Sequence, residues 1–142
     1  MFTITKQFEF SASHQLEHLI NPAWPEDDPR QHPCSRDHGH NYIVEVELQA
    51  DLLDSRGFVV DYGELRHFKN YIDEVFDHRR INDVLSGYAT AENLALYFYG
   101  WCVTRWPQTV AVRVSETPKT WAEYRPARGE HYVFALPLEK KQ

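Results

Sequence analysis

The chain carries Cys34-Ser35-Arg36-Asp37-His38-Gly39-His40-Asn41-Tyr42, followed by Ile43-Val44-Glu45-Val46-Glu47-Leu48. The second stretch alternates apolar and polar side chains and predicts a strand. If that strand opens at His38, its period of two sends His38 and His40 to one side. Gly39 between them places no side chain on the other face and lets a neighbouring group come close. Two imidazoles on one face, about 6–7 Å apart along the strand, can grip one metal ion. Cys34, four residues upstream, can reach the same space. The plainer alternative is a polar strand start with two unrelated histidines.

Catalysis by zinc wants three protein ligands and one open position. Phe2, Ile4, Phe8 and Phe10 fall on alternate positions, with Lys6 the exception, and predict a first strand that runs to Ser11-Ala12-Ser13-His14. A lone histidine at a strand end is ordinarily surface decoration. Beside the strand of His38 and His40, His14 is the natural third ligand. Such an ion polarises a substrate oxygen and acidifies a neighbouring C–H or hydroxyl. A base must then take the proton. Cys34 near a divalent cation has reason to be a thiolate. Asp77-His78, just past a predicted helix, suits a second acid or base oriented by its carboxylate. Taken alone, the pair is more simply a helix end with the imidazole facing the dipole. Glu116, at the end of a later strand, can accept from paired N–H donors such as the guanidine-like edge of a heterocycle.

The elements that must position these residues follow from patterning. Asn21 to Pro33 holds Pro22, Pro25, Pro29 and Pro33 with Glu26, Asp27 and Asp28, so it is neither a helix nor a central strand. A loop of this length is a functional lid or a mobile connection. His18 and His32, near or in it, are expected in solvent. Tyr42, Val44, Val46, Leu48 and Ala50 face one way, and Glu45, Glu47 and Gln49 the other, as in an antiparallel sheet with one wet face. Asp61 with Glu64 predicts a capping box, and Leu65, Phe68, Ile72, Val75 and Phe76 a helix ending near Phe76. Thr90 predicts the cap of a second helix whose wide apolar face runs from Leu94 to Trp106, with Pro107 ending it. Strands are expected over Thr109–Glu116, Trp121–Arg125 and His131–Leu136, and a loose charged tail over Glu139–Gln142. The order predicts one α+β domain over residues 1–142, an antiparallel sheet covered on one face by two helices.

Composition narrows the partners. Lys and Arg number 15 against 21 Asp and Glu, a net charge of −6, which argues against a general nucleic-acid binder. Cys34 and Cys102 are too few for a disulfide framework. No apolar run approaches the roughly 20 residues of a membrane span, and the N-terminus lacks the layout of a signal peptide. A cytoplasmic protein without membrane or nucleic-acid partners is expected.

Four separated motifs resemble the 6-pyruvoyltetrahydropterin synthase / 6-carboxytetrahydropterin synthase family. They are Ser13-His14, Cys34 through Tyr42, Asp77-His78 with Ile81-Asn82, and Thr90-Ala91-Glu92-Asn93 with Ser115-Glu116-Thr117. Val60-Asp61-Tyr62-Gly63 is also similar, and the resemblance runs from about Phe8 to Tyr124. It implies the tunnelling fold, with a four-stranded antiparallel sheet and two helices, assembled as homotrimers or homohexamers. It implies Zn2+ on His14, His38 and His40, a catalytic set of Cys34, Asp77 and His78, and substrate contacts from Glu116, Thr90 and Glu92. The implied substrate is 7,8-dihydroneopterin triphosphate, with Arg79, Arg80 and Lys6 as candidate cations for its phosphates. The short gap between Cys34 and His38 resembles the bacterial 6-carboxytetrahydropterin synthases, which release acetaldehyde and triphosphate and feed 7-deazaguanine and queuosine synthesis. Asn41-Tyr42 is more similar to the pyruvoyl branch, which eliminates triphosphate. Ala91 departs from the hydroxyl residue often found there, and the Asn21–Pro33 loop is longer than in compact bacterial members. A non-catalytic, zinc-stabilised pterin-binding subunit is the alternative from another class.

Overall fold

The computed structural model describes residues 1–127. Strands β1 (Phe2–His14) and β2 (His38–Ala50) form the longest ladder, antiparallel from Phe2↔Ala50 to His14↔His38. Helix α1 covers Arg66–Val75 and α2 covers Ala91–Arg105. A two-residue strand β3 (Arg79–Arg80) lies between them in sequence, and β4 (Thr109–Thr117) and β5 (Thr120–Tyr124) follow. Among the described residues the sheet order is β3-β1-β2-β4-β5, five strands where the family resemblance implied four. The additional strand is β3, which pairs parallel with β1 at Ala12 and Ser13. Two adjacent arginines carry no alternation of polarity, so nothing in the pattern announces it. The predicted strand His131–Leu136 and the tail Glu139–Gln142 lie outside the described residues.

One face of the sheet is apolar because every second residue is. Phe8, Phe10 and Ala12 on β1, Tyr42, Val44, Val46 and Leu48 on β2, and Val112 and Val114 on β4 are buried together with Phe68 and Ile72 of α1 and Leu94, Phe98 and Trp101 of α2. Rings interlock edge to face, Phe8 on Phe68 at 5.1 Å and Phe10 on Phe98 at 6.1 Å, the arrangement their quadrupoles favour. The opposite face is a charge ladder. Gln7 donates to Glu45, and Arg113 bridges Glu45, Glu47 and Glu123.

Caps differ in how they follow the pattern. Thr90 caps α2, its side chain accepting from the Asn93 N–H at 3.2 Å. Asp61 does not cap α1. Its Oδ1 accepts from Gly63 N–H, two residues on, and residues 61 to 66 wind through i→i+3 turns up to the start of the helix at Arg66. Glu64 reaches Arg56 instead of closing a capping box. The Asn21–Pro33 loop is built around Gln31, which is only 3% exposed. Its amide accepts from Asn21 N–H and donates to the carbonyls of Asn21, Trp24 and Pro25.

Candidate active site

The β1–β2 register decides which side chains meet. His14, Ala12, Phe10 and Phe8 share the core-facing parity of β1, as His38, His40 and Tyr42 do on β2, so His14 stands directly opposite His38 and diagonal to His40. His14 Nε2 lies 3.0 Å from His38 Nε2 and 3.1 Å from His40 Nε2. His14 is 1% exposed; His38 and His40 are half-buried. The outer ring nitrogens are anchored. His14 Nδ1 donates to the Ala89 carbonyl at 2.6 Å, and His38 Nδ1 donates to the Arg36 carbonyl at 2.6 Å. A carbonyl only accepts, so each Nδ1 keeps a proton, and in the neutral ring each Nε2 then presents a lone pair. Lone pairs facing one another at 3 Å repel unless a cation lies between them. Nitrogens about 2.0–2.1 Å from one tetrahedral ion stand about 3.3 Å apart, within a few tenths of what is seen. The donor set therefore fits a zinc-type ion.

Burial lowers the pKa of the His40 imidazole, the Glu116 carboxylate opposes this, and His14 and His38 lower it further. Glu116 Oε2 is 4.0 Å from His40 Nε2. One step past the Ile43↔Ser115 pair of the β2–β4 ladder, Glu116 comes opposite Tyr42 on the core-facing side. Tyr42 is fully buried, stacked on Phe10 at 4.9 Å, and its hydroxyl has no hydrogen-bond partner among the described residues. Burial first, and Glu116 second, push that phenol far above its ordinary range. A cavity of about 760 Å³ is lined by His40, Glu116, Asp77, Tyr42 and Thr117 among others.

The chain leaves α1 with Asp77 N–H donating to Ile72 O and enters the left-handed region at His78, φ 57°. His78 N–H bonds the Ser11 carbonyl at 2.6 Å, and Ser11 N–H donates back to Asp77 Oδ1 at 2.9 Å. Asp77 Oδ2 is 2.9 Å from His78 Nδ1. The Ser11 amide, and after it His78, hold the Asp77 carboxyl below its ordinary range. With Nδ1 bound, the 81% exposed His78 ring offers Nε2 to solvent. This is the orienting arrangement a general base needs, and the imidazole does not cap α1. His78 and His40 both line a second cavity of about 470 Å³.

Cys34 is a half-buried free thiol outside the histidine triad. Its carbonyl accepts from Leu16 N–H, so its turn is tied two residues past His14. Cys34, Thr90 and Glu92 line neither of the two cavities that His40 lines. Of the candidate phosphate cations, Lys6 donates to the Tyr62 carbonyl and Arg80 is enclosed by carboxylates. Arg79 is exposed and has no acidic partner among the described residues. His32 accepts from Cys34 N–H, and His18 stacks on Tyr88 at 3.8 Å. Both remain exposed, as expected. The roles of the Ala89 and Arg36 carbonyls leave no mark in the sequence, because any residue type supplies a carbonyl. Asn82 was visible as part of a motif; its amide accepts from Gln15 N–H and donates to Gln15 O, fixing the residue after His14.

Among the described residues, no helix is long and apolar enough to cross a membrane. The sequence profile of the 6-pyruvoyl tetrahydropterin synthase family matches residues 3–127. The chain is 30% identical over 116 residues to the putative 6-carboxy-5,6,7,8-tetrahydropterin synthase of Archaeoglobus fulgidus, covering 82% of this chain and 89% of that one. It is 29% identical over 143 residues to the 6-carboxy-5,6,7,8-tetrahydropterin synthase of Bacillus subtilis, covering 90% and 88%. The solved structure of Caenorhabditis elegans 6-pyruvoyl tetrahydropterin synthase matches with a TM-score of 0.74 at 25% identity, over 89% of this chain and 96% of that one. The tunnelling architecture, the convergent histidines and this span of similarity lead to one conclusion: the chain belongs to the 6-pyruvoyl tetrahydropterin synthase family.

Proposed function

We propose that the chain is a zinc-dependent lyase converting 7,8-dihydroneopterin triphosphate to 6-carboxy-5,6,7,8-tetrahydropterin, with loss of acetaldehyde and triphosphate, in 7-deazaguanine and queuosine synthesis. The observation that carries this reading is the convergence of three Nε2 atoms beside Glu116, with two of the rings anchored through Nδ1. His14, His38 and His40 would hold the zinc, which supplies Lewis acidity to the hydroxyls of the substrate side chain. Glu116 accepts the paired N–H donors of the pterin ring, and Thr90 and Glu92 complete the substrate contacts. His78, oriented by Asp77, moves the proton on one face, and the Cys34 thiolate moves it on the other. The carboxy product is favoured by the short Cys34-to-His38 spacing and by the names of the Archaeoglobus and Bacillus relatives.

A homotrimer or homohexamer completes the site in this reading, with Cys34 of one copy facing the Asp77–His78 pair of the next. Two observations support it. Cys34 lines neither cavity that holds Asp77 or His78. Among the described residues, β3 pairs with β1 only at Ala12 and Ser13, and β5 forms the other edge; such edges are ordinarily covered. Ultracentrifugation tests this, and a fully active monomer contradicts it.

A second reading, elimination of triphosphate to the pyruvoyl product, is favoured by Asn41-Tyr42. Incubating the purified protein with dihydroneopterin triphosphate separates the two. Acetaldehyde and a carboxypterin support the first, and triphosphate release without acetaldehyde supports the second. No turnover by the zinc-loaded protein overturns both.

A further inference from the structure

Arg80 follows the Asp77–His78 pair by two residues, and its guanidinium ties three segments together. Nη2 donates to Gln15 Oε1 at 2.9 Å and to Glu17 Oε1 at 3.1 Å. Nε donates to Asp37 Oδ2 at 3.2 Å, and Nη1 to Asp83 Oδ1 at 3.3 Å. Gln15 is the residue after His14, and Asp37 is the residue before His38. The β1–β2 ladder stops at the His14↔His38 pair. Past it Leu16 N–H donates to Cys34 O and Gln15 Nε2 to Ser35 O, and Arg80 adds the tie that reaches the neighbours of both His14 and His38 from the turn of His78. Its backbone sits beside Ser13 in the β3–β1 register, and its side chain reaches Asp37 across the end of β1.

We propose that Arg80 is a positioning residue that fixes the spacing of His14 and His38 and couples it to the turn carrying His78. This rests on the reading that the triad holds a metal ion. The chemistry suits arginine alone. Its planar fork has five donors at fixed angles, whereas a lysine ammonium is a point charge that cannot span the same acceptors in one geometry. The carboxylates of Glu17, Asp37 and Asp83 are more than half exposed, so each pair taken singly adds little to stability. Their common effect is geometric, and it acts one residue from two of the three ligands. One positive charge set among three negative ones also makes Arg80 a poor phosphate ligand.

The rival role is an ordinary surface ion-pair network, and zinc affinity separates the two. Chelator-stripped full-length chain is titrated with zinc against a chromophoric competitor, for the unaltered protein and for Arg80→Met, Arg80→Lys, Asp37→Ala and the Arg80→Met, Asp37→Ala pair. Circular dichroism of each metal-free form controls for folding. Groups behind metal ligands typically alter affinity 10–100-fold, and Arg80 acts one residue further out, so Arg80→Met is expected to weaken zinc about 10-fold. Arg80→Lys should recover only a small part of this. The Arg80→Met and Asp37→Ala losses should be non-additive, since both break one contact. Should Arg80→Met not fold, Asp37→Ala alone must still weaken zinc measurably. Zinc affinity unchanged within twofold in every folded variant, or strictly additive losses, overturns the inference. Failure of the unaltered chain to bind zinc overturns the functional reading, and this inference with it.

Discussion

His14 and His38 face each other across the last pair of the β1–β2 ladder, their Nε2 atoms 3.0 Å apart and both Nδ1 atoms donated to carbonyls. With each Nδ1–H held by a carbonyl, the neutral rings turn their Nε2 lone pairs toward one another, an arrangement that an ion between them satisfies. The purified protein should carry about one zinc per chain. His38→Ala or His40→Ala should strip it, as read by elemental analysis after desalting. Full metal content in the His14→Ala, His38→Ala double variant would rule the assignment out.

The convergence of these histidines was legible because strand parity is a strong rule. Given two strands with alternating apolar residues, His14, His38 and His40 had to share the core-facing side once the strands paired in register. Thr90 was legible for a similar reason, since a hydroxyl before an apolar helix has one obvious use. Asp61 misled because its side chain satisfies the N–H two residues on, a bond with the same sequence signature as a cap. Strand β3 and the Arg80 clamp were illegible because both are set by tertiary placement. Two arginines after a histidine look like solvated surface until the strand ends come together around them.

Asp77 takes the Ser11 amide on one oxygen and His78 on the other. In Asp77→Asn the amide oxygen can still accept from Ser11, but the amide nitrogen would donate to His78 Nδ1 and leave the proton on Nε2. Turnover should fall about 10²–10⁴-fold, with zinc content retained. The depressed pKa of the Asp77 carboxyl gives a pH signature. A lowered folded pKa adds stability above the unfolded value, which is lost as pH falls through the folded one. The stability advantage of the unaltered protein over Asp77→Asn should therefore shrink progressively as pH falls below about 4, the ordinary carboxylate range. Thermal melts from pH 7 to pH 3 read this, and a constant difference over that range counts against it.

Tyr42 buries a hydroxyl with no partner among the described residues. Leaving a buried donor unpaired costs about 1–3 kcal/mol. Tyr42→Phe keeps the ring stacked on Phe10 and removes only that oxygen. The metal-free variant should therefore be at least as stable as the parent, by up to about 1 kcal/mol in denaturant unfolding, allowing for relaxation around the site. A clear loss of stability would show that the hydroxyl finds a partner in the assembled protein.

Cys34 and Glu116 should fail in different ways. The thiol lies outside the triad, so Cys34→Ala should keep zinc, fold and pterin affinity while losing about 10²–10⁴-fold in turnover, the usual contribution of a positioned base. Glu116 lies 4.0 Å from His40 and opposite Tyr42, in the cavity that also holds Asp77. Glu116→Ala should keep zinc but weaken pterin binding by about 1.5–3 kcal/mol, the range for a hydrogen bond to a charged group. Because Glu116 opposes the effect of burial on His40, its removal should also leave that imidazole more readily neutral, so zinc uptake at mildly acidic pH should not suffer. Zinc content, pterin affinity and kcat, measured on both variants, separate the roles. Loss of zinc in Cys34→Ala would make the thiol a fourth ligand and the site a closed structural one. Retention of both zinc and full turnover would move the base entirely to His78.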